Sequence, residues 1–580
     1  TWNASNSLAS NTTGLTLSPF ASRTLFWIGN GGNWTDPSHW SLSSGGATAN
    51  CTPNSQDSIV FDANSFTLTN QQVTINLDVT HKAITLNNVL NNPLLFSSGR
   101  IILLTSNLTF MGTTSRFTHN SSSLQIQGNI INNGSNVTWN SSTVTVTGDF
   151  SIKNTTGGSY TFSSANLTIG DSLIIHNAIL STFSVGSTLQ LTSGSIDTKS
   201  STVTTFSVGS NLTLTNGSIS LLTTNFSTFS VSSNITASNG RFLLQQGAIS
   251  NFTTRTATLK GFKIISSNSG NYTFNNFSTS TSNLLNLTDS LVISNSTLST
   301  FYLQYYYSTG GYYVYHNVNI TTGSFFVNNS TITNFIARNI NVSNGSIKFE
   351  SNSAGNFNTA FTCSSDFQIK DSPVNWNITN FSDATASAGG NFTISNSQCS
   401  FNAYRNFISV TGNFLIETKP VTWTSQYPVT VNGDYSVLNS SSSITLTNYY
   451  PATLYVRGNF TLNSAMTYSV YATNFTAITT GKTINPAGKI FTNVNFTGNG
   501  GAWTMLNDFV ATGDVSHQFG TFISNGYKVD YGLGLNANYS NLLTLNYTGT
   551  DTIRAKAYYT LSASANTTLT IASAVIKINT

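Results

Sequence analysis

The chain has 580 residues, of which only 7% are charged, against roughly a quarter in an ordinary soluble domain. Its net charge of +4 is scattered without runs of like sign, which excludes the clustered basic footprint of nucleic-acid binding. With 38% hydrophobic residues, including 38 Phe and 23 Tyr, the chain is too rich in aromatic and β-branched side chains for disorder.

The N-terminus, beginning TWNASNS, has no basic segment followed by an apolar one, so no signal peptide is read there. No apolar stretch approaches the ~18 residues of a membrane span. An exported chain would therefore be in its processed form, and an anchor could also have been removed from the C-terminus. The expected location is secreted, at the cell surface.

Residues 1–66 form an opening segment that holds Trp27, Trp34 and Trp40 among Gly, Asn and Asp-Pro turns. The end of a stacked β structure exposes apolar core and an unpaired strand edge. A Trp-rich knot could cover that end, and an aromatic platform for carbohydrate is the competing reading.

Residues 67–300 are read as stacked coils. TFSVGSTLQLTSGSI (182–196), TFSVGSNLTLTNGSI (205–219) and TFSVSSNITASNGRF (228–242) repeat at an offset of 23. A looser unit runs on through 317–500, with Gly390, Gly412, Gly433 and Gly458 each followed by Asn or Asp and an alternating strand. In Asn391-Phe392-Thr393-Ile394 the apolar residues face one way and the polar ones the other. One such unit cannot bury its own apolar face, but stacking on the next unit buries it. These features predict an all-β fold, a β-helix (β-solenoid) of ~20–25-residue coils with a Trp-rich N-terminal cap. About 25 coils at ~4.8 Å would give a rod on the order of 120 Å. Tandem β-sandwich domains are the alternative, disfavoured because a sandwich strand does not repeat its neighbour.

Residues 301–316, FYLQYYYSTGGYYVYH, interrupt the coils as a hairpin with a Ser-Thr-Gly-Gly turn. Tyr305, Tyr306, Tyr307, Tyr312, Tyr313 and Tyr315 are candidates for contact with a neighbouring subunit or a sugar, because tyrosine offers area at little entropy cost. Cross-strand aromatic packing that stiffens the hairpin is the plainer reading. Residues 501–580 are read as further β coils or a small β domain. The solenoid could kink or break near the hairpin or near Gly498 to Gly501.

Residues 25–66, LFWIGNGGNWTDPSHWSLSSGGATANCTPNSQDSIVFDANSF, resemble the opening segment of large repetitive secreted proteins of Bacteroidetes and of environmental bacteria, archaea and viruses. Those share a WxGGxGNWxDxxHWS pattern and a FDANSF-like strand. Residues 502–532, AWTMLNDFVATGDVSHQFGTFISNGYKVDYG, are similar to their coils. The resemblance implies an exported β-solenoid of surface, adhesive or structural type, with no catalytic residues to carry over. The density of Asn-x-Ser/Thr triplets departs from that pattern.

About 35 of roughly 74 Asn lie in such triplets, the N-glycan acceptor pattern, where roughly 22 would arise by chance. Strand alternation alone generates the triplet and leaves a polar face of Asn and Thr. The same geometry would let an outward Asn carry a glycan without disturbing the core. The candidate sites are Asn107, Asn136, Asn166, Asn211, Asn234, Asn251, Asn271, Asn286, Asn319, Asn341, Asn377, Asn391, Asn459, Asn474, Asn495 and Asn546. The sequon-poor stretches 51–106 and 392–438 are candidate contact faces.

Three cysteines are too few for a disulfide framework. Cys363 and Cys399 could pair between nearby coils, leaving Cys51 buried or bonded to another chain. No Cys or His has metal-ligand spacing, the six His are scattered, and no metal or cofactor is expected. Polysaccharide-degrading β-helices need converging carboxylates with a base or Ca²⁺. Asp149 and Asp171 read as one position in neighbouring coils, a turn position where Asn and Asp interchange for local backbone hydrogen bonds. Asp366 and Lys370 share a strand face with Asp371 opposite, a solvated edge. The expected function is therefore non-enzymatic: a structural subunit, heavily N-glycosylated, of a filament, sheath or coat. Its partners would be further copies of itself and its covalent N-glycans, with surface polysaccharide as a further candidate and no nucleic acid. The alternatives are a monomeric glycan-binding adhesin or stalk and, last, a polysaccharide lyase or hydrolase.

Overall fold

The computed structural model describes residues 21–578, except 121–122, 157–159, 275–282, 308–311, 379–385, 404–406, 440, 447–451, 538–540, 550–551, 562–566 and 572–574. It is all-β, a parallel β-solenoid of about 20 coils. That is fewer than the ~25 expected from an even repeat, because some coils are long. The coil closing at Asn329 on Asn295 takes 34 residues, whereas coils closing at Asn413 and Asp434 take 22 and 21. The chain divides into two compact units, Thr1–Gly217 with Thr224–Phe226, and Ser218–Thr223 with Ser227–Thr580.

In the first unit three parallel sheets wind round one core. On the first face Ala83–Asn87, Leu108–Met111, Ile130–Asn133, Phe150–Lys153, Leu173–His176 and Ile196–Lys199 stack in succession. The second face runs through Leu94–Ser98, Thr114–Asn120 and Asn136–Val146 to Ile179–Val185 and Thr202–Val208. The third runs from Val79–His81 and Ile102–Leu104 to Leu189–Leu191 and Leu212–Leu214. Asn136–Val146 serves both the second and third faces, bending round the corner between them. The repeat offset of 23 is one turn of the coil. Phe183 lies level with Phe206, and their rings stack at 5.3 Å.

The second unit follows the same plan. Along its first face the rings of Phe367, Phe392, Phe414, Tyr435 and Phe460 stack at 4.8, 5.1, 4.8 and 5.5 Å. Trp376, Phe401 and Trp423 stack along the second. Period-two alternation produces this: Phe392 and Ile394 are buried while Thr393 and Ser395 are half-buried. Fully burying such side chains contributes about 1.5–3 kcal/mol each.

Parallel pairing runs on across the hairpin and across Gly498 to Gly501. Leu291–Ser294 pairs Phe325–Asn328 across the hairpin, and Lys482–Asn485 pairs Ala502–Met505 across Gly498 to Gly501. Residues 501–578 continue the coils through Gly520–Ile523, Leu543–Tyr547 and Thr567–Ile571. A five-stranded parallel sheet from Ile490–Phe491 to Val575–Ile578 forms one of their faces.

Candidate functional site

The Gly-Asn/Asp signature marks a corner held by side chains of the coil before. Asp366 Oδ1 accepts the N–H of Asn391, Asn391 Oδ1 that of Asn413, and Asn413 Oδ1 that of Asp434. Asp434 and Asn459 extend the series to Asn459 and Thr483, at 2.7–2.9 Å throughout. The preceding glycine stays bare because the neighbouring side chain lies against it. A Cβ on Gly412 would sit 2.6 Å from Asn391 Oδ1, and one on Gly433 would sit 2.4 Å from Asn413 Oδ1.

The first unit has the same ladder, with Asn107 Oδ1 to Asn129, Asn129 Oδ1 to Asp149, and Asp149 Oδ1 to Ser172. Two expectations are corrected here. The bonds run between coils and not within a turn. Asp149 and Asp171 are not equivalent either. Asp149 is level with Ser172, while the Asp171 N–H bonds back to Gly148, one residue out of step. Asp366 precedes its strand, Phe367–Lys370, and belongs to this ladder. Asp371, beyond the end of that strand, has φ +49 and accepts from Asn396 Nδ2.

A second ladder lies inside, at a corner the sequence reading did not find. Ser266, Asn295, Asn329, Ser351, Asp371 and Asn396 have φ between 45 and 54. Each turns the chain inward and is followed by a buried polar residue. The N–H of Ser267 bonds to Ser296 Oγ, that of Ser296 to Ser330 Oγ, and that of Ser330 to Asn352 Oδ1. Asn352 and Ser372 continue it to Ser372 and Ser397, at 2.9–3.1 Å. Buried backbone donors must be paired, and one side-chain oxygen per coil pairs them here, a serine hydroxyl at every step except Asn352 Oδ1.

The opening segment packs as a cluster of rings. Trp27, Trp34 and Trp40 are 0%, 2% and 0% exposed, so they offer no open aromatic platform. His39 stacks on Trp27 at 4.6 Å, and Trp40 meets Trp27 and Trp34 edge-on at 4.9 Å each. Gly32 is bare because a Cβ there would lie 2.1 Å from His39 Nε2, and Gly29 (φ +83) also lies against that ring. Asp36 caps the 3-10 turn Pro37–His39 by accepting from the Ser38 N–H. Thr24–Trp27 stacks in parallel on Ser58–Phe61 on one edge. Its other edge pairs antiparallel with Trp40–Ser41, which closes that strand edge. Trp34 Nε1, a donor only, bonds to His81 Nε2 at 3.2 Å, while His81 Nδ1 lies 2.9 Å from the Asn54 carbonyl. This fixes His81 as neutral with its proton on Nδ1, and burial pushes its pKa down. Burial works against the Asp57 carboxylate, but Arg23 at 2.6 Å and the Asn54 N–H outweigh it and hold it below the usual range.

The sixteen sequon asparagines share one geometry. Every middle residue, from Leu108 and Val137 to Phe496 and Tyr547, is buried. None of the asparagines is. Asn166, Asn251, Asn271 and Asn391 are exposed. Asn107, Asn136, Asn211, Asn234, Asn286, Asn319, Asn341, Asn377, Asn459, Asn474, Asn495 and Asn546 are half-buried. Some form amide ladders: Asn341 Nδ2 donates to Asn319 Oδ1, Asn319 Nδ2 to Asn286 Oδ1, and Asn495 Nδ2 to Asn474 Oδ1.

The Tyr-rich hairpin forms with antiparallel register Gln304↔Tyr315 to Tyr307↔Tyr312. Tyr315 is half-buried; the side chains of Tyr305, Tyr306, Tyr307, Tyr312 and Tyr313, like the turn itself, lie outside the described residues. The suggested Cys363–Cys399 link is not formed. Cys363 ends a third-face strand and its Sγ lies 3.4 Å from the Ser365 carbonyl. Cys399 begins a second-face strand and lies 3.4 Å from the Ser372 carbonyl. Burial pushes their thiols up to about 12 and about 11. His517 stacks on Phe496 at 4.2 Å, and burial pushes its pKa down to about 3.

Among the described residues no three His, Cys, Asp or Glu are grouped to hold a metal, and no helix is long and apolar enough to cross a membrane. No family model matches this chain, nor does any curated protein or solved structure.

Proposed function

We propose that this protein is a non-enzymatic extracellular structural subunit, N-glycosylated along its coils, that associates with copies of itself into a filament, sheath or coat at the cell surface. It would be of the type suggested by the Bacteroidetes-like opening segment. One observation carries the reading: sixteen Asn-x-Ser/Thr triplets set the middle residue in the core and the asparagine outside it. A glycan at the exposed ones, Asn166, Asn251, Asn271 and Asn391, adds bulk and solubility without disturbing packing. Of the carboxylates weighed as catalytic candidates, Asp149 and Asp366 accept backbone N–H groups of the following coil, and Asp171 and Asp371 accept from the Ser193 hydroxyl and the Asn396 amide. These acids thus serve contacts between coils. The Tyr-rich hairpin, added to one coil, supplies a contact element between copies.

Electron microscopy of native, undenatured material tests this. Filaments or sheets blurred by glycan density support it. Particles that stay monomeric at high concentration sink the assembly reading and favour an adhesin.

A further inference from the structure

Two sequons of the second unit stand in direct register. Asn251 lies in Ala248–Ile265 and Asn271 in Asn268–Phe274, and the parallel pairing sets them level on successive coils. Both asparagines are exposed, and their following residues, Phe252 and Tyr272, are buried and packed ring to ring at 5.5 Å. The two attachment points are therefore fixed on a rigid floor. Beside them runs an open groove of about 550 Å³, whose lining includes Ser250, Asn268, Gly270, Thr297 and Ser299. Its walls are hydroxyls, amides and backbone, with no charged side chain. Gly270 keeps the floor low: a Cβ there would lie 2.3 Å from the Ser250 carbonyl. Thr300 Oγ1 lies 2.7 Å from Asn271 Oδ1, so it engages the oxygen of that amide and not the nitrogen a glycan takes.

Successive coils are ~4.8 Å apart, about the thickness of one pyranose ring. An N-glycan branches and widens beyond its first sugars. Two glycans on directly stacked asparagines would therefore overlap, whether attached before or after folding. Asn391 and Asn459 differ, because Asn413 and Asp434 stand between them in their column.

We propose that the Asn251/Asn271 column seats a single N-linked glycan, on one asparagine or the other but never both in one molecule, with its first sugar in the groove. Neutral hydroxyl and amide walls suit the hydroxyl and acetamido groups of such a sugar. The proposal rests on the glycosylation reading above.

The test uses native protein and the variants Asn251→Gln and Asn271→Gln from the same secretory host. Site occupancy is read by mass spectrometry after amidase release in heavy-isotope water. The two occupancies should sum to no more than one, and removing either asparagine should raise occupancy at the other. A sum above one, or no rise in either variant, overturns the proposal while leaving glycosylation intact. An unmodified column on a protein glycosylated at Asn166 does the same. No glycan on any sequon overturns both. Glycan release from the folded protein should be slower at this column than at Asn166, which lies outside the groove; equal rates would refute the seating.

Discussion

At the corners single side chains bridge one coil to the next, and their removal has a definite cost. Asn413→Ala leaves the Asp434 N–H to water at this exposed corner, a loss of about 0.5–1.5 kcal/mol. Hydrogen exchange at the Asp434 amide should speed up by about two- to tenfold, whereas Asn413→Asp, which keeps Oδ1, should leave it nearly unchanged. The buried histidines act through pH. His517 is held neutral by burial, with a folded pKa of about 3 against 6.5 for the free ring. The unfolded chain then binds more protons between those values, so stability is full above about 6.5 and falls as pH is lowered. The slope is up to about 1.4 kcal/mol per pH unit. His81 shifts in the same direction, and protonating it would also remove the acceptor for Trp34 Nε1. Thermal unfolding followed across this window should show acid destabilisation, and His517→Phe should flatten it. An unchanged profile in the variant would refute the assignment.

At the scale of elements, the coils read clearly from sequence because period-two alternation and the 23-residue offset both report one physical fact, which residues meet from coil to coil. The Gly-Asn corners were visible too, but their mechanism was misjudged. A turn residue bonding its own loop and one bonding the next coil leave the same trace in the sequence. The inner serine ladder was missed although it has a signal. A polar residue and then Ser or Asn close the strands at Asn295-Ser296, Asn329-Ser330, Ser351-Asn352, Asp371-Ser372 and Asn396-Ser397. That signal is hidden in a chain so rich in Ser and Asn, where only the positive φ singles it out. The cap rings could be placed in the opening segment but not linked to His81, a contact across 47 residues. The hairpin is an insertion in a 34-residue coil whose flanking strands pair directly with neighbouring coils. Replacing residues 304–315 by a short turn should leave the circular dichroism and unfolding midpoint unchanged. If the hairpin joins copies, the same variant should lose association in sedimentation.

For the whole molecule, the scarcity of charge matters most. With 7% charged residues and a net charge of +4, little electrostatic repulsion keeps copies apart. Solubility then depends on hydration of Asn, Ser and Thr and, on the proposed reading, of glycans. Enzymatic removal of glycans under native conditions should drive association at neutral pH, seen as a rise in light scattering. A deglycosylated protein that stays monodisperse would show that the bare polar faces suffice.

The two kinds of asparagine column would also age differently. In any protein that is not renewed, asparagine side chains slowly hydrolyse to aspartate. The corner ladder uses only Oδ1 and already contains Asp366 and Asp434, so deamidation at Asn413 would pass without loss of a contact. The amide ladder of Asn286, Asn319 and Asn341 spends both ends of its central amide. Hydrolysis of Asn319 there would remove the donor to Asn286. Slow chemical damage would thus accumulate silently at one edge of the coil and open it at another.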